Sequence, residues 1–189
     1  MKKLSLLLVF VGLVAFSSFG QRIGVKAGLN MATVAMDGDV DTKMLPGIHL
    51  GAVAEFEFSE NLAFEPGLLF SQKGTDYDVD GDMKTRLSYL DIPLNLRYKM
   101  GNFFAQAGPQ IGIGLSGTQE FGDEEEDIEF GSDDDQFKRL DFALSFGVGM
   151  NFNQFQVSAN YGLGLANLSN WDDDDLKNRV ISVSLGYYF

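Results

Sequence analysis

The residues best placed to do chemistry in this 189-residue chain are its carboxylates. Asp76, Asp78, Asp80 and Asp82 alternate with Tyr77, Val79 and Gly81. Carboxylates at every second position with glycine at the sixth follow the front half of an EF-hand calcium loop. The position that would supply the bidentate glutamate is Leu87, so any Ca²⁺ binding expected there is weak. Asp37-Gly38-Asp39-Val40-Asp41 and the run Asp172–Asp175 are poorer versions of the same pattern. Oxygen-only donors would favour Ca²⁺ or Mg²⁺ over zinc. The preferred reading of these runs is solvated surface, the usual fate of a charge run.

Catalytic chemistry has little to build on. His49 is the only histidine, cysteine is absent, and no Ser/His/Asp set can be assembled. A satisfied interior hydrogen bond is expected for His49, and no enzyme. Trp171, beside the Asp172–Asp175 run, is expected as an interfacial anchor, with contact to a partner as the alternative. The net charge of −13 excludes nucleic acid as a partner. Of 27 acidic residues, 21 fall in four segments, 32–46, 74–84, 117–136 and 167–178, and the third holds ten with no basic residue.

These segments separate stretches in which apolar side chains alternate with small or polar ones, the period of a strand with two unlike faces. Ile23, Val25, Ala27, Leu29 and Met31 alternate with Gly24, Lys26, Gly28 and Asn30. Leu90, Ile92, Leu94, Leu96, Tyr98 and Met100 alternate with Asp91, Pro93, Asn95, Arg97 and Lys99. Six further stretches, around 48–58, 62–71, 103–115, 139–152, 155–165 and 181–189, behave alike. The apolar face is unbroken over about ten residues per strand, what a tilted strand needs to cross a hydrocarbon layer. The other face is rich in Gly, Ser, Asn and Gln, which suits a crowded narrow lumen.

Three connections are short: Ser59-Glu60-Asn61, Gly101-Asn102 and Asn153-Gln154. Their flanking pairs, Phe58/Leu62, Met100/Phe103 and Phe152/Phe155, share the apolar face, as hairpin partners must. Short turns alternating with long loops predict an all-β, eight-stranded antiparallel up-and-down transmembrane barrel with short periplasmic turns, long extracellular loops and both termini periplasmic. Outer-membrane lipid is then its first partner. Pro66, Pro93 and Pro109 lie inside strands and predict local gaps or bulges.

On this parity the lumen receives Lys26, Glu55, Glu57, Glu65, Asp91, Arg97, Lys99, Arg139 and Asp141, with Arg22 and Lys73. Glu55 falls opposite Glu65, a like-charge pair that needs a cation, and Lys26 and Arg97 are the candidates. A salt-bridged plug is the preferred reading, because eight strands leave an interior only just wide enough for side chains. A small-solute pore is an alternative.

Residues 1–20 are set apart as a cleaved secretory signal: Lys2 and Lys3, an apolar core from Leu4 to Phe16, then Ser17-Ser18-Phe19-Gly20. The barrel domain is then 21–189, with net charge −15 once the two lysines are gone.

The mature start Gly24–Asn30 (GVKAGLN), Tyr89–Leu94 (YLDIPL), Ala107–Pro109, Asn160–Asn167 (NYGLGLAN) and the terminal Gly186–Phe189 resemble the PorT-like outer-membrane β-barrel family of Bacteroidetes. The resemblance spans nearly all of 21–189. It implies a bacterial outer-membrane location and reading of the terminal Phe189 by the barrel-assembly machinery. The family's founding member is linked to protein secretion and gliding, and most relatives carry no assigned activity. The expected function is therefore a structural or accessory barrel, open to an envelope protein partner, with a loop-mediated binding or adhesion protein as the alternative.

Overall fold

The computed structural model describes residues 21–35, 42–77, 83–122, 124–131, 136–169 and 176–189. The expected signal segment, Asp37–Asp41, Asp78, Asp80, Asp82, Trp171 and Asp172–Asp175 lie outside them. The strands are β1 (Gln21–Ala35), β2 (Thr42–Glu57), β3 (Leu62–Tyr77), β4 (Met83–Met100) and β5 (Phe103–Phe121), then three short pieces, β6 (Glu124–Ile128), β7 (Phe130–Gly131) and β8 (Phe137–Lys138), and finally β9 (Leu140–Phe152), β10 (Phe155–Gly164) and β11 (Lys177–Tyr188).

Hydrogen bonding runs β4-β3-β2-β1-β11-β10-β9-β5, and β4 pairs with β5 to close the ring. Eight antiparallel strands thus form a barrel without an open edge, the arrangement that satisfies backbone groups inside a bilayer. β1 and β11 close it at the termini, from Gly24 opposite Tyr188 to Ala35 opposite Lys177.

Alternation decides which side of the wall each residue takes. Ile23, Val25, Leu29, Leu50, Val148, Val183 and Leu185 are exposed on the outer surface, while Lys26, Asn30, His49, Glu65, Arg97, Gln156 and Ser184 are buried within. An apolar band around a whole barrel far exceeds the patches a soluble monomer leaves in water. At the short-turn end the band is edged by aromatics. Phe155 meets Tyr187 at 5.2 Å between ring centroids, and Tyr187 meets Phe189 at 5.3 Å.

The short turns fall where the spacing predicts. Phe58 donates its amide to the Leu62 carbonyl, Met100 pairs with Phe103, and Phe152 pairs with Phe155. Gly101 has φ +64° and Asn153 φ +56°, the positive value that a two-residue hairpin loop needs at its first position. Pro66, Pro93 and Pro109 interrupt pairing without moving it. β3 and β4 leave Gly67, Leu68, Ile92 and Pro93 unpaired, then resume the same register at Leu69 opposite Asp91. The register shifts lie elsewhere. Leu115 is an extra residue on β5, since Ser88 pairs with Ser116 but Tyr89 with Gly114. A second shift lies on β2 between Met44 and His49, around Pro46.

The long connections are shorter than expected. β1 continues to Ala35, β2 begins at Thr42, β3 reaches Tyr77 and β5 reaches Phe121. Outside the hydrocarbon layer a strand no longer needs an apolar outer face, so pairing persists where alternation fades. Described parts of 117–136 are also paired. β6 folds back on β5, with Gly117 opposite Ile128 and Phe121 opposite Glu124.

Candidate functional site

The lumen holds two charge clusters at different heights. The lower one, near the short turns, is centred on Arg97 of β4, which is fully buried at 0% exposure. Its Nη1 donates to Glu55 Oε2 at 2.6 Å, and its Nη2 donates to Glu65 Oε2 and, at 2.8 Å, to Gln106 Oε1. Glu55 and Glu65 face each other across β2 and β3, so one guanidinium serves both, a geometry suited to its planar fork. Lys26 Nζ of β1 takes the other Glu65 oxygen at 2.7 Å, and the Tyr188 hydroxyl of β11 donates to Glu65 Oε2.

Gln156 of β10 continues the chain, accepting from Arg97 Nη2 at 3.3 Å and donating to Asn151 Oδ1 of β9 at 3.0 Å. Every strand of the barrel therefore contributes a side chain to one cross-section. The Phe104 ring lies under the Arg97 guanidinium, 4.0 Å from its centroid. It has room because Gly149 stands opposite, where an added Cβ would come within 2.2 Å of Phe104 Cζ. Lys99 pairs with Glu57, whose side chain is 40% exposed at the open lower end, and Arg22 and Lys99 each lie 3.7 Å from Glu55 Oε1.

The upper cluster is built on Lys73 of β3. Its Nζ donates to Asp91 Oδ1 of β4 at 2.9 Å and to Asp141 Oδ2 of β9 at 3.1 Å, and lies 4.5 Å from the Tyr89 ring centroid. Asn178 Nδ2 of β11 also donates to Asp141 Oδ2, at 2.9 Å. Arg139 does not join these acids. It is exposed on the segment before β9 and donates to the Phe130 carbonyl at 3.0 Å. The assignment of Arg139 to the lumen is corrected on this geometry: it precedes the first residue of β9, where the wall no longer forces it inward. Lys73, placed in the lumen by the same parity, pairs with Asp91 and Asp141.

Between the clusters lies a cavity of about 70 Å³ reached by side chains of all eight barrel strands, among them Asn30, His49, Asn95, Ser145 and Asn160. The His49 ring is held on both nitrogens, by Asn30 Oδ1 at 2.9 Å and Ser184 Oγ at 2.8 Å. Of the expected calcium-loop residues only Asp76 is described. It stands opposite Lys84 in the β3–β4 ladder.

The upper mouth carries a feature that the alternation does not signal. Phe130 turns inward onto Tyr89, edge to face at 5.8 Å, and packs with Leu87, Ile128 and Phe137. A second cluster, Val34, Leu168 and Leu176, meets Phe137 from the other side. β7 and β8 pair in parallel to hold Phe130 beside Phe137, and Lys138 donates its amide to the Leu168 carbonyl at 2.8 Å. Isolated apolar residues within the acidic run Glu120–Asp135 were the available signal.

The chain matches the family model described as outer membrane protein beta-barrel domain over residues 19–170. No curated protein matches it. Among solved structures, Neisserial surface protein A is similar with a TM-score of 0.59 at 11% identity, covering 90% of this chain and 99% of that one. The attachment invasion locus protein Ail of Yersinia pestis has a TM-score of 0.47 at 18% identity, covering 89% of this chain and 99% of that one. With a closed eight-stranded wall, an apolar outer band and a family match across most of its length, the chain belongs to the outer membrane protein beta-barrel domain family.

Proposed function

We infer that this protein is an accessory or structural barrel of the outer membrane whose lumen is closed, and that it works through what its long loops touch. The observation that carries this reading is the lower cross-section. Arg97, Glu55, Glu65, Lys26, Gln106, Gln156, Asn151 and Tyr188 bond across the full width of the barrel. A solute would have to part a buried ion-pair network to pass. Opening such a network strands charges at a cost of about 3–5 kcal/mol. His49, bonded to Asn30 and Ser184 inside the closed lumen, is read as part of the polar packing of the interior.

The short turns share the end of the barrel where Gln21 and Phe189 lie, which favours periplasmic termini and outward-facing loops. On this reading the segment before Gln21 is a cleaved export signal, and Phe189 is the contact for barrel assembly. The acidic loops, with Glu124, Glu125, Glu126 and Asp127 exposed, are the surface for an envelope partner. Membership of the PorT-like branch fits the sequence motifs and an accessory role. Single-channel recording after reconstitution in planar bilayers tests the closed lumen. No conductance steps are expected, and reproducible steps from the purified barrel would replace this reading with a small-solute pore.

A further inference from the structure

The buried charges of the lumen do not balance at the upper cluster. Four carboxylates, Glu55, Glu65, Asp91 and Asp141, are buried with three cations, Lys26, Lys73 and Arg97. Glu55 and Glu65 share Arg97 and Lys26, with Arg22 and Lys99 also near Glu55. Among the described residues Asp91 and Asp141 have Lys73 alone. With every group ionised, one negative charge is left at the upper side of the cavity, in a site removed from bulk water, where an unpaired ion is costly. The other charged or titratable groups on the cavity are engaged, Lys26 by Glu65 and His49 by Asn30 and Ser184.

Glu55 Oε1 of the lower cluster has no hydrogen-bond partner among the described residues but lies 3.7 Å from both Arg22 and Lys99, whereas the unpartnered acceptors around Asp141 have no such second cation. Asp141 Oδ2 is taken by Lys73 and Asn178, which leaves Asp141 Oδ1 with no hydrogen-bond partner among the described residues. Asn178 spends its Nδ2 on that bond and leaves its own Oδ1 unpartnered, and Asn95 Oδ1 is unpartnered lower on the same cavity. All three are acceptors, and the buried Tyr89 hydroxyl beside Asn178 is unpartnered as well. Such groups are rarely left unsatisfied in a folded protein. Water could satisfy the acceptors, and the cavity has room for several molecules. Water would not neutralise the charge. A small cation does both, and oxygen donors suit a hard one.

We propose that the lumen binds one monovalent cation, of sodium or potassium size, at Asp141 and Asn178 on the side away from Lys73. A single positive charge brings the upper cluster to neutrality, whereas a divalent ion would overcharge it beside Lys73. Waters spanning from the ion towards Asn95 complete its shell. The ion is occluded between the lower network and the Phe130 mouth, a structural plug rather than a transported species.

The test is thermal unfolding of the refolded barrel in detergent, with Na⁺ or K⁺ exchanged for N-methylglucamine at constant ionic strength. A cation that binds only the folded barrel raises the midpoint in a saturable way. The wild-type protein should show that rise with sodium or potassium. Asp141→Asn should abolish it, because the charge that calls for the ion is gone. Asn178→Ala keeps the charge and removes one oxygen, so the half-saturating concentration should rise about tenfold. The same midpoint in every cation would overturn the proposal and leave a water-filled cavity. So would a stabilisation that survives in both variants. A midpoint that follows pH and ignores the cation would assign the missing charge to a proton shared by Asp91 and Asp141, and would equally overturn it.

Discussion

The two ends of the lumen are closed by opposite chemistries. The lower closure is polar and made entirely by the barrel wall, through ion pairs and amides that reach across all eight strands. The upper closure is apolar and made largely by inserted segments, with Phe130 and Phe137 lying over Leu87 and Tyr89. Each rests a phenylalanine on a glycine, Phe104 on Gly149 below and Phe130 on Gly114 above. Where the partners belong to the wall, geometry is held by the sheet and charges can be matched atom by atom. Where the partners arrive on a connection, non-directional apolar contact tolerates the looser positioning.

This contrast is broken most severely at Arg97. Arg97→Met would leave Glu55 and Glu65 facing each other in the lumen, with Lys26 on one of them. A loss of about 4 kcal/mol in global stability is expected, measured by urea unfolding of the barrel refolded into vesicles. Phe130→Ala should act differently. Truncating this ring should cost about 3 kcal/mol, confined to the mouth. Hydrogen exchange should quicken in β7, β8 and the upper part of β4 while the urea midpoint moves little. An equal fall in global stability for both variants would show that the two closures form one cooperative unit. Gly114→Ala is the mildest probe. Its Cβ would stand 2.5 Å from Phe130 Cε1, so the ring must shift. A local loss of about 1 kcal/mol is expected, read as partial exchange of the mouth alone.

Much of the barrel is legible in the sequence because a transmembrane wall imposes its period on every residue. Leu96, Arg97 and Tyr98 must take alternate sides, and a one-residue slip would put Arg97 in lipid. The hairpin at Ser59–Asn61 likewise brings Glu55 against Glu65 before any coordinates are known. Strand ends are less legible. Thr75 and Thr85 still pair near the long-connection ends of β3 and β4, where the apolar alternation has faded. The mouth is the least legible part. Phe130 sits among carboxylates that signal solvent, and its burial depends on Tyr89 and Gly114, which are distant in sequence.

By itself, then, the sequence determined the strand count, the inward and outward faces and the three tight turns, because alternation and turn chemistry are local. Only the tertiary structure decided which charges meet. Closure and the stagger of the strands set the height of each side chain, and that height joined Lys73 to Asp91 and Asp141 and left Arg139 on the Phe130 carbonyl. The same stagger left Asp141 Oδ1 and Asn178 Oδ1 buried beside a cavity with no hydrogen-bond partner among the described residues. No short-range pattern in the chain encodes that distance.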